Sequence, residues 1–373
     1  MGLDWIPEEL ERLQTEGLLR TRRQPWDAAG PYLERGEQRL LNLASNDYLS
    51  LARAAPAGEP TGSGASRLVT GDLAGHHSLE CALADWLRVE QTLLFSSGYA
   101  ANVGTVAALS GPGTLVVSDS LNHASIVDGC RLSRARVVVT EHGSVDAVRL
   151  ALAAAPERRR LIVTDGYFSM DGDFAPIAAL RAVCDQHGAT LLIDEAHALG
   201  VWGPEGRGVS AAAGVRPDVV VGTLGKSFGA AGAFVAGSAP LIRWLWNRAR
   251  SFVFSTGIAP TTARAALEAL PLVREGERTA RLHLNTDVFR QALTARGVAV
   301  LSGSRGPIVP IVLGDADRAV RRASDLEDVG IFVHPIRPPT VPRGTSRLRL
   351  TVQSGHNAED LVRAADAIAQ VLR

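Results

Sequence analysis

The sequence predicts an α/β protein whose large domain holds a mostly parallel sheet flanked by helices, followed by a smaller α+β domain. From Thr92 to Gly225, short apolar and β-branched runs alternate with Ala-rich helical patterns, as expected of strands covered on both faces by crossover helices. Past roughly residue 300 the rhythm changes to short strands mixed with charged amphipathic helices. The chain has 373 residues, 46% hydrophobic and 21% charged, enough for two or three cores at about 100–200 residues per domain.

In chain order, the opening segment reads as an acidic-to-basic helix ending in LLRTRR, and LNLASNDYLS as an extended entry into the fold. TLLFS (92–96) then precedes the helical GYAANVGTVAAL, TLVVSD (114–119) precedes HASIVDGCRL, and ARVVVT (135–140) precedes SVDAVRLALAAA. LIVTDG (161–166) leads to PIAALRAVCDQHG, and TLLIDE (190–195) and DVVVGTLG (218–225) follow. Three further strands are expected at 307–314, 331–339 and 346–353, with helices in DADRAVRRASDLEDVG and NAEDLVRAADAIAQVLR. The domain expectation is therefore an N-terminal segment 1–45, a large domain 46–262 and a small domain 263–373.

Lys plus Arg (39) cancels Asp plus Glu (39), so the chain lacks the charge footprint of a nucleic-acid or acidic-membrane binder. Cys81, Cys130 and Cys184 lie far apart with no CxxC pair. Neither a disulfide framework nor a metal site is expected, which fits a reducing cytoplasm. The N-terminus carries acids early and has no apolar segment of the secretory kind. The uncharged stretch from Gln91 to Ser118 is interrupted by Gly98, Asn102, Gly104, Gly111, Pro112 and Gly113, so it is not expected to span a membrane.

Three features carry chemistry. Asp194 ends an apolar strand and His197 follows three residues on. Ligands of open α/β sheets collect at the carboxyl ends of strands, and a carboxylate there needs a positive partner; alone, Asp194 reads equally well as a turn cap. Lys226 sits just past another apolar strand, in GTLGKSFG. Burial would lower its pKa and make the amine a nucleophile and base. A P-loop is excluded because Val220 stands where its first Gly is required. Third, SSGYAAN (96–102) is a Gly turn opening a helix, suited to an anion. Residues 98–103 read GYAANV, not GxGxxG, which disfavours a nicotinamide dinucleotide. A phosphate at a helix start, an acid for a ring nitrogen and a lysine for a Schiff base together describe pyridoxal 5'-phosphate (PLP).

The motifs LNLASNDYLSL, GSGASRLVTGDLAGHHSLE, LLFSSGYAAN, SDSLNHASIVDG, FSMDGDFAPI, DEAHALGVWGPEGRG, TLGKSFG and IRPPTVPRGTSRLRLT run in order through nearly the whole chain. In these it resembles the α-oxoamine synthase family of fold-type I PLP enzymes. The resemblance implies a large domain with a mostly parallel seven-stranded sheet and a homodimer with its active sites at the subunit boundary. It also implies an acyltransferase of biotin biosynthesis, condensing L-alanine with a pimeloyl thioester of CoA or acyl carrier protein. It assigns Lys226 to the cofactor and to proton removal from the substrate, Asp194 to the pyridine nitrogen, His197 to the phenolic oxygen and His123 to the ring face. Ser169 would also bond the cofactor. The amides of Gly98 and Tyr99 with the Thr223 hydroxyl would hold its phosphate, and Ser255 and Thr256 would reach the phosphate of the neighbouring subunit. Arg337 would grip the amino-acid carboxylate through a two-pronged contact, with Thr340 in the same pocket. An N-terminal arginine would meet the acyl substrate; LLRTRR offers Arg20, Arg22 and Arg23, of which Arg20 is taken. Asp165 stands where the family has Glu, a change expected to shift a supporting contact. The segment between LSLARAAP and GSGASR is shorter than usual.

Three alternatives stay open at this stage. They are the same condensation on glycine with an acetyl thioester, ordinary transamination, and a non-catalytic PLP-binding partner subunit.

Overall fold

The computed structural model describes residues 6–20, 27–52 and 58–373. Helix α1 (Ile6–Thr15) opens the chain with Glu8 and Glu9 in its first turn, matching the positive end of the helix dipole. It stops at Thr15, so Leu18–Arg20 of the expected helical LLRTRR lie outside it, and Arg22 and Arg23 fall beyond the described residues. Strands β1 (Asp27–Ala29), β2 (Tyr32–Arg35) and β3 (Gln38–Asn42) form an antiparallel meander, and of the expected extended segment LNLASNDYLS only Leu41 and Asn42 lie in a strand. Its turns carry Gly30 and Gly36 at positive φ.

The central region runs α2 (Ala74–Leu87), β4 (Gln91–Phe95), α3 (Gly98–Leu109), β5 (Thr114–Asp119), α4 (Ala124–Ser133), β6 (Arg136–Thr140) and α5 (Val145–Ala153). It continues with β7 (Arg159–Asp165), α6 (Ile177–His187), β8 (Thr190–Asp194), α7 (Val209–Ala212), β9 (Val219–Thr223) and β10 (Ala233–Gly237), then α8 (Ala239–Arg248), α9 (Arg250–Val253) and α10 (Pro260–Arg274). Seven strands join in the order β4-β10-β9-β8-β7-β5-β6. All are parallel except β10, which runs against both β4 and β9.

The expected mostly parallel seven-stranded sheet is therefore present. The β7-β8-β9 path leaves β7 in one direction and β5-β6 in the other, so the order reverses between β5 and β7. Crevices at the carboxyl ends of strands flanking such a switch point collect ligands. Asp119, Asp165, Asp194 and Thr223 end β5, β7, β8 and β9.

The core beneath is aliphatic and aromatic: Leu93, Phe95, Val116, Ile126, Leu161, Val163, Leu192, Val221, Val235, Leu245 and Phe252 are all buried. Each such side chain contributes about 1.5–3 kcal/mol by leaving water. That holds the strand ends rigid enough to aim polar groups. Gly229, in the turn after β9, sits at φ +61°, and a Cβ there would lie 2.2 Å from the Ala52 amide. Only glycine lets the lysine-bearing turn lie this close to the 51–52 backbone.

After α11 (Glu277–Ala295) come β11 (Ile308–Gly314), α12 (Ala316–Asp328), β12 (Ile331–Phe332), β13 (His334–Ile336), β14 (Ser346–Thr351) and α13 (Ala358–Leu372). Strands β11-β14-β13 form an antiparallel sheet, and β12 adds in parallel to β3.

The chain clusters into two units: described residues up to 46 with 170–172 and 281–373, and residues 47–169 with 173–280. These limits differ from those read in the sequence. Residue 262 falls inside α10, whose Ala263, Ala266, Leu270 and Val273 are buried and which packs on α2. A helix with its apolar face in one core is not a linker. The N-terminal strands cluster with the C-terminal ones because β12 pairs with β3. No helix among the described residues is long and apolar enough to cross a membrane.

Candidate active site

Asp194 is buried at the end of β8. One carboxylate oxygen accepts from the Ala196 amide (2.8 Å) and the other from the Asn102 side-chain amide (2.6 Å). Both are neutral donors, so the carboxylate is oriented without being neutralised by them. Asn102 lies on α3 and gives a second bond, 3.0 Å, to the Ser125 hydroxyl on α4.

His123 caps α4. Its amide donates to the Asp165 carboxylate (2.8 Å), while its Nδ1 meets the Ser125 hydroxyl at 2.7 Å. The ring has an open face, yet surrounding atoms strip enough water to push its pKa below the ordinary 6.5; Asp194 opposes that shift and Lys226 reinforces it. Asp165 is held well above the usual carboxylate range by burial and then by Asp194, its cross-strand neighbour in the β7–β8 register. His123, Asp165, Asp194 and Lys226 thus share one electrostatic neighbourhood.

Lys226 is half-buried in the β9–β10 turn, which is closed by Leu224 N to Gly232 O (2.9 Å) and Gly229 N to Lys226 O (2.9 Å). A sequence signal marks it independently. It is the single lysine of the chain; every other member of the 39 Lys plus Arg is arginine. Arginine stays protonated and does not supply a free amine, so this one position keeps an ability the rest of the chain has dispensed with.

Thr223, buried at the end of β9, accepts from the Gly225 amide and donates to Gly232 O, both at 3.2 Å. The first turn of α3 lies next to it, since a Cβ at Gly98 would come within 3.9 Å of the Thr223 hydroxyl oxygen. The amides of Gly98 and Tyr99 have no partner within the helix by construction. The Tyr99 side chain instead turns outward and donates to Asp128 (2.6 Å), leaving its main chain as the useful part. His197 is buried, with Nδ1 2.8 Å from the Tyr48 hydroxyl. Ser169 is half-buried in the turn after β7. Ser255 is half-buried and Thr256 exposed, next to the fully presented Phe254.

The other unit places Arg337 just after β13, half-buried and donating to Gly17 O. Burial lowers its pKa, and repulsion from Arg20 adds to the effect, so the two arginines expected for substrate stand near each other. Thr340 is exposed in the turn that follows, its amide donating to Arg337 O at 3.0 Å.

The residues suit a phosphorylated, carbonyl-bearing heterocycle. Gly98, at the start of α3, and Gly225 both border the Thr223 hydroxyl, a Cβ at either lying 3.6–3.9 Å from it, and free amides at a helix start suit a phosphate. Asp194 offers an oriented anion, and Ser227, next to Lys226, has a buried hydroxyl with no partner among the described residues. The motif pattern alone did not single out Tyr48, Asn102 or Ser125, although all three lie inside quoted motifs. Among the described residues no group of His, Cys, Asp and Glu could hold a metal.

Residues 38–368 match the model of the aminotransferase class I and II family. The chain is 50% identical to an 8-amino-7-oxononanoate synthase of Anaeromyxobacter dehalogenans, across 100% of this chain and 96% of that protein. Its fold is similar to a serine palmitoyltransferase from S. paucimobilis with bound PLP–myriocin, at TM-score 0.91 and 29% identity over 99% of this chain and 97% of that one. An 8-amino-7-oxononanoate synthase from Francisella tularensis matches at TM-score 0.74 and 25% identity, covering 89% and 98% of the two chains.

Proposed function

The chain belongs to the aminotransferase class I and II family, and on that premise we propose that it is a PLP-dependent acyltransferase of biotin biosynthesis. It condenses L-alanine with a pimeloyl thioester, of CoA or acyl carrier protein, to give 8-amino-7-oxononanoate, CO2 and the free thiol. The observation that carries this reading is a lone lysine that shares one electrostatic neighbourhood with a buried, oriented Asp194 and a neutral-leaning His123, in a chain half identical to a synthase of that name.

When bound, PLP supplies an electron sink for charge developing on the carbon next to the amine it holds. The protein does the rest. Asp194 would keep a proton on the ring nitrogen, since an oriented buried carboxylate favours the cationic ring. Lys226 would hold the cofactor through its amine, and the same amine would serve as the base for the alanine Cα proton and as the acid that protonates the product. His123 would cover one ring face, His197 would contact the phenolic oxygen, and Ser169 would also bond the cofactor. The Gly98 and Tyr99 amides with the Thr223 hydroxyl would hold the phosphate, and Ser255 and Thr256 would reach that of the neighbouring subunit. Arg337 would grip the alanine carboxylate through a two-pronged contact, a positioning effect of the kind that supplies large rate factors. Thr340 lines the same pocket and Arg20 meets the acyl substrate.

A homodimer fits the exposed Tyr99, Leu132, Trp244 and Phe254, the last 72% exposed, since large exposed apolar patches mark association surfaces. Free Cys81, Cys130 and Cys184 suit a reducing cytoplasm, and burial pushes the Cys130 and Cys184 thiols up to about 11 and about 12.

The test is mass analysis of products from alanine and pimeloyl-CoA. 8-Amino-7-oxononanoate with one equivalent of thiol is expected. Reaction of glycine with acetyl-CoA alone, or exchange of amino groups without thiol release, overturns the assignment. Arg337→Ala should raise the KM for alanine about 10- to 100-fold, the worth of one charged hydrogen-bonded contact, with a smaller change in kcat.

A further inference from the structure

We propose that Asn102 and Ser125 are positioning residues that lock His123 as a neutral imidazole protonated on Nε2, with Asp194 as the far anchor of the same chain of hydrogen bonds. This deepens the reading above and rests on it for the catalytic meaning of His123.

The argument is one of donors and acceptors. Asn102 Nδ2 lies 2.6 Å from Asp194 Oδ2 and 3.0 Å from Ser125 Oγ, and a side-chain amide nitrogen only donates. Turning the amide over would set its oxygen against the Asp194 carboxylate, acceptor to acceptor, so its orientation is fixed. Its own oxygen is buried without a partner among the described residues.

Having accepted from Asn102, the Ser125 hydroxyl has one proton to give, and His123 Nδ1 at 2.7 Å is there to take it. The Ser125 amide also points at Nδ1, at 3.3 Å, and an amide is a donor. Two donors converge on one ring nitrogen. That nitrogen keeps its lone pair, which leaves the ring proton on Nε2. Burial, which lowers the His123 pKa, favours the same neutral form.

The groups facing His123 are Asp165 at the end of β7, Asp194 at the end of β8 and Lys226 in the turn after β9. Asp194 favours a charged imidazole and Lys226 opposes it, and the two donors on Nδ1 hold the ring neutral. A ring that covers a cofactor also needs a fixed plane, and the Asp165 bond to the His123 amide sets the main chain under it. A fixed tautomer then presents an N–H donor from Nε2 at every working pH, where a titrating ring would present a varying charge.

The test is imidazole ¹⁵N NMR of the holoprotein, with His123→Asn as the assignment control, alongside the pH dependence of the bound cofactor's visible band. In wild type, His123 should show an unprotonated Nδ1 and a protonated Nε2 across neutral pH. Ser125→Ala should let Nδ1 take a proton and move the His123 titration upward by about one pH unit, carrying the acid side of the band with it. Ser125→Thr, which keeps the hydroxyl, should restore the wild-type signature. Asn102→Ala should act in the same direction as Ser125→Ala but less. A wild-type ring protonated on Nδ1 overturns the proposal. So does a Ser125→Ala protein whose His123 signals and band are unchanged. If Ser125→Ala does not fold, the wild-type tautomer and the Ser125→Thr protein decide. Failure of wild-type turnover on alanine and pimeloyl-CoA would strike the functional reading and leave the tautomer measurement standing.

Discussion

Two clusters of acids and bases stand at the carboxyl ends of the same sheet, and they are built to opposite plans. In one, His142 lies between two carboxylates, with Nδ1 3.0 Å from Asp119 and Nε2 2.9 Å from Asp173, and its ring stands edge-on to Phe168. Asp119 also accepts from the amides of Leu121 and Gly143, both at 2.8 Å. Both ring nitrogens are used, and the pKa of His142 rises from 6.5 to about 10, chiefly through its bonds to Asp119 and Asp173. In the other, Asp165 and Asp194 accept hydrogen bonds from amides, His123 is pushed toward neutrality and Lys226 is half-buried. The saturated cluster clamps the 119–123 and 166–173 loops. The other keeps an anion, an amine and a ring in reserve for something that arrives.

The difference can be broken most severely at Lys226. Lys226→Arg keeps the positive charge but not a transferable proton or a nucleophilic amine, and should cost about 10³-fold or more in kcat while thermal stability stays within about 1 kcal/mol. Steady-state assays and thermal unfolding measure the two halves. The same split is expected in milder form for His123→Ala, with kcat down about 10²-fold and folding nearly unaffected.

His142→Ala should show the reverse balance, losing about 2–3 kcal/mol of stability through the removal of two charged hydrogen bonds. Because the folded pKa of His142 lies above its ordinary value, its contribution is full below pH 6.5. It declines as pH rises and is gone above about 10. Denaturant titrations of wild type and variant should therefore converge in alkali. A gap that widens with pH contradicts the clamp.

At the small end, Tyr48→Phe removes the hydroxyl that meets His197 and should lower kcat/KM about 3- to 10-fold. Asp165→Asn keeps an acceptor for the His123 amide, so activity and stability should stay near wild type, whereas Asp165→Ala leaves that amide buried and unmet.

Much of this was legible in the sequence, for identifiable reasons. Strands β5 and β8 and helix α3 begin where continuous apolar runs and a Gly turn place them. Burial on both faces writes itself as uninterrupted Val, Ile and Leu. Strand β10 was not legible, because AFVAG is short, rich in Ala and Gly and lies beside a glycine-dense turn. The β1–β3 meander hid in YLERGEQR, whose charged residues alternate too weakly against solvent to show period two. Asp194, His197 and Lys226 stood out because a charge at the end of an apolar strand is expensive. Asn102 and Ser125 did not, since a small polar residue on a helix is ordinary until the distances show what it holds. The lone lysine was available all along as a count.

The most direct measurement uses that count. Borohydride reduction of the PLP-loaded protein, followed by peptide mass mapping, should place a single stable secondary-amine adduct on Lys226, the sole side-chain amine in the chain. An unmodified Lys226 in reduced holoprotein contradicts the account.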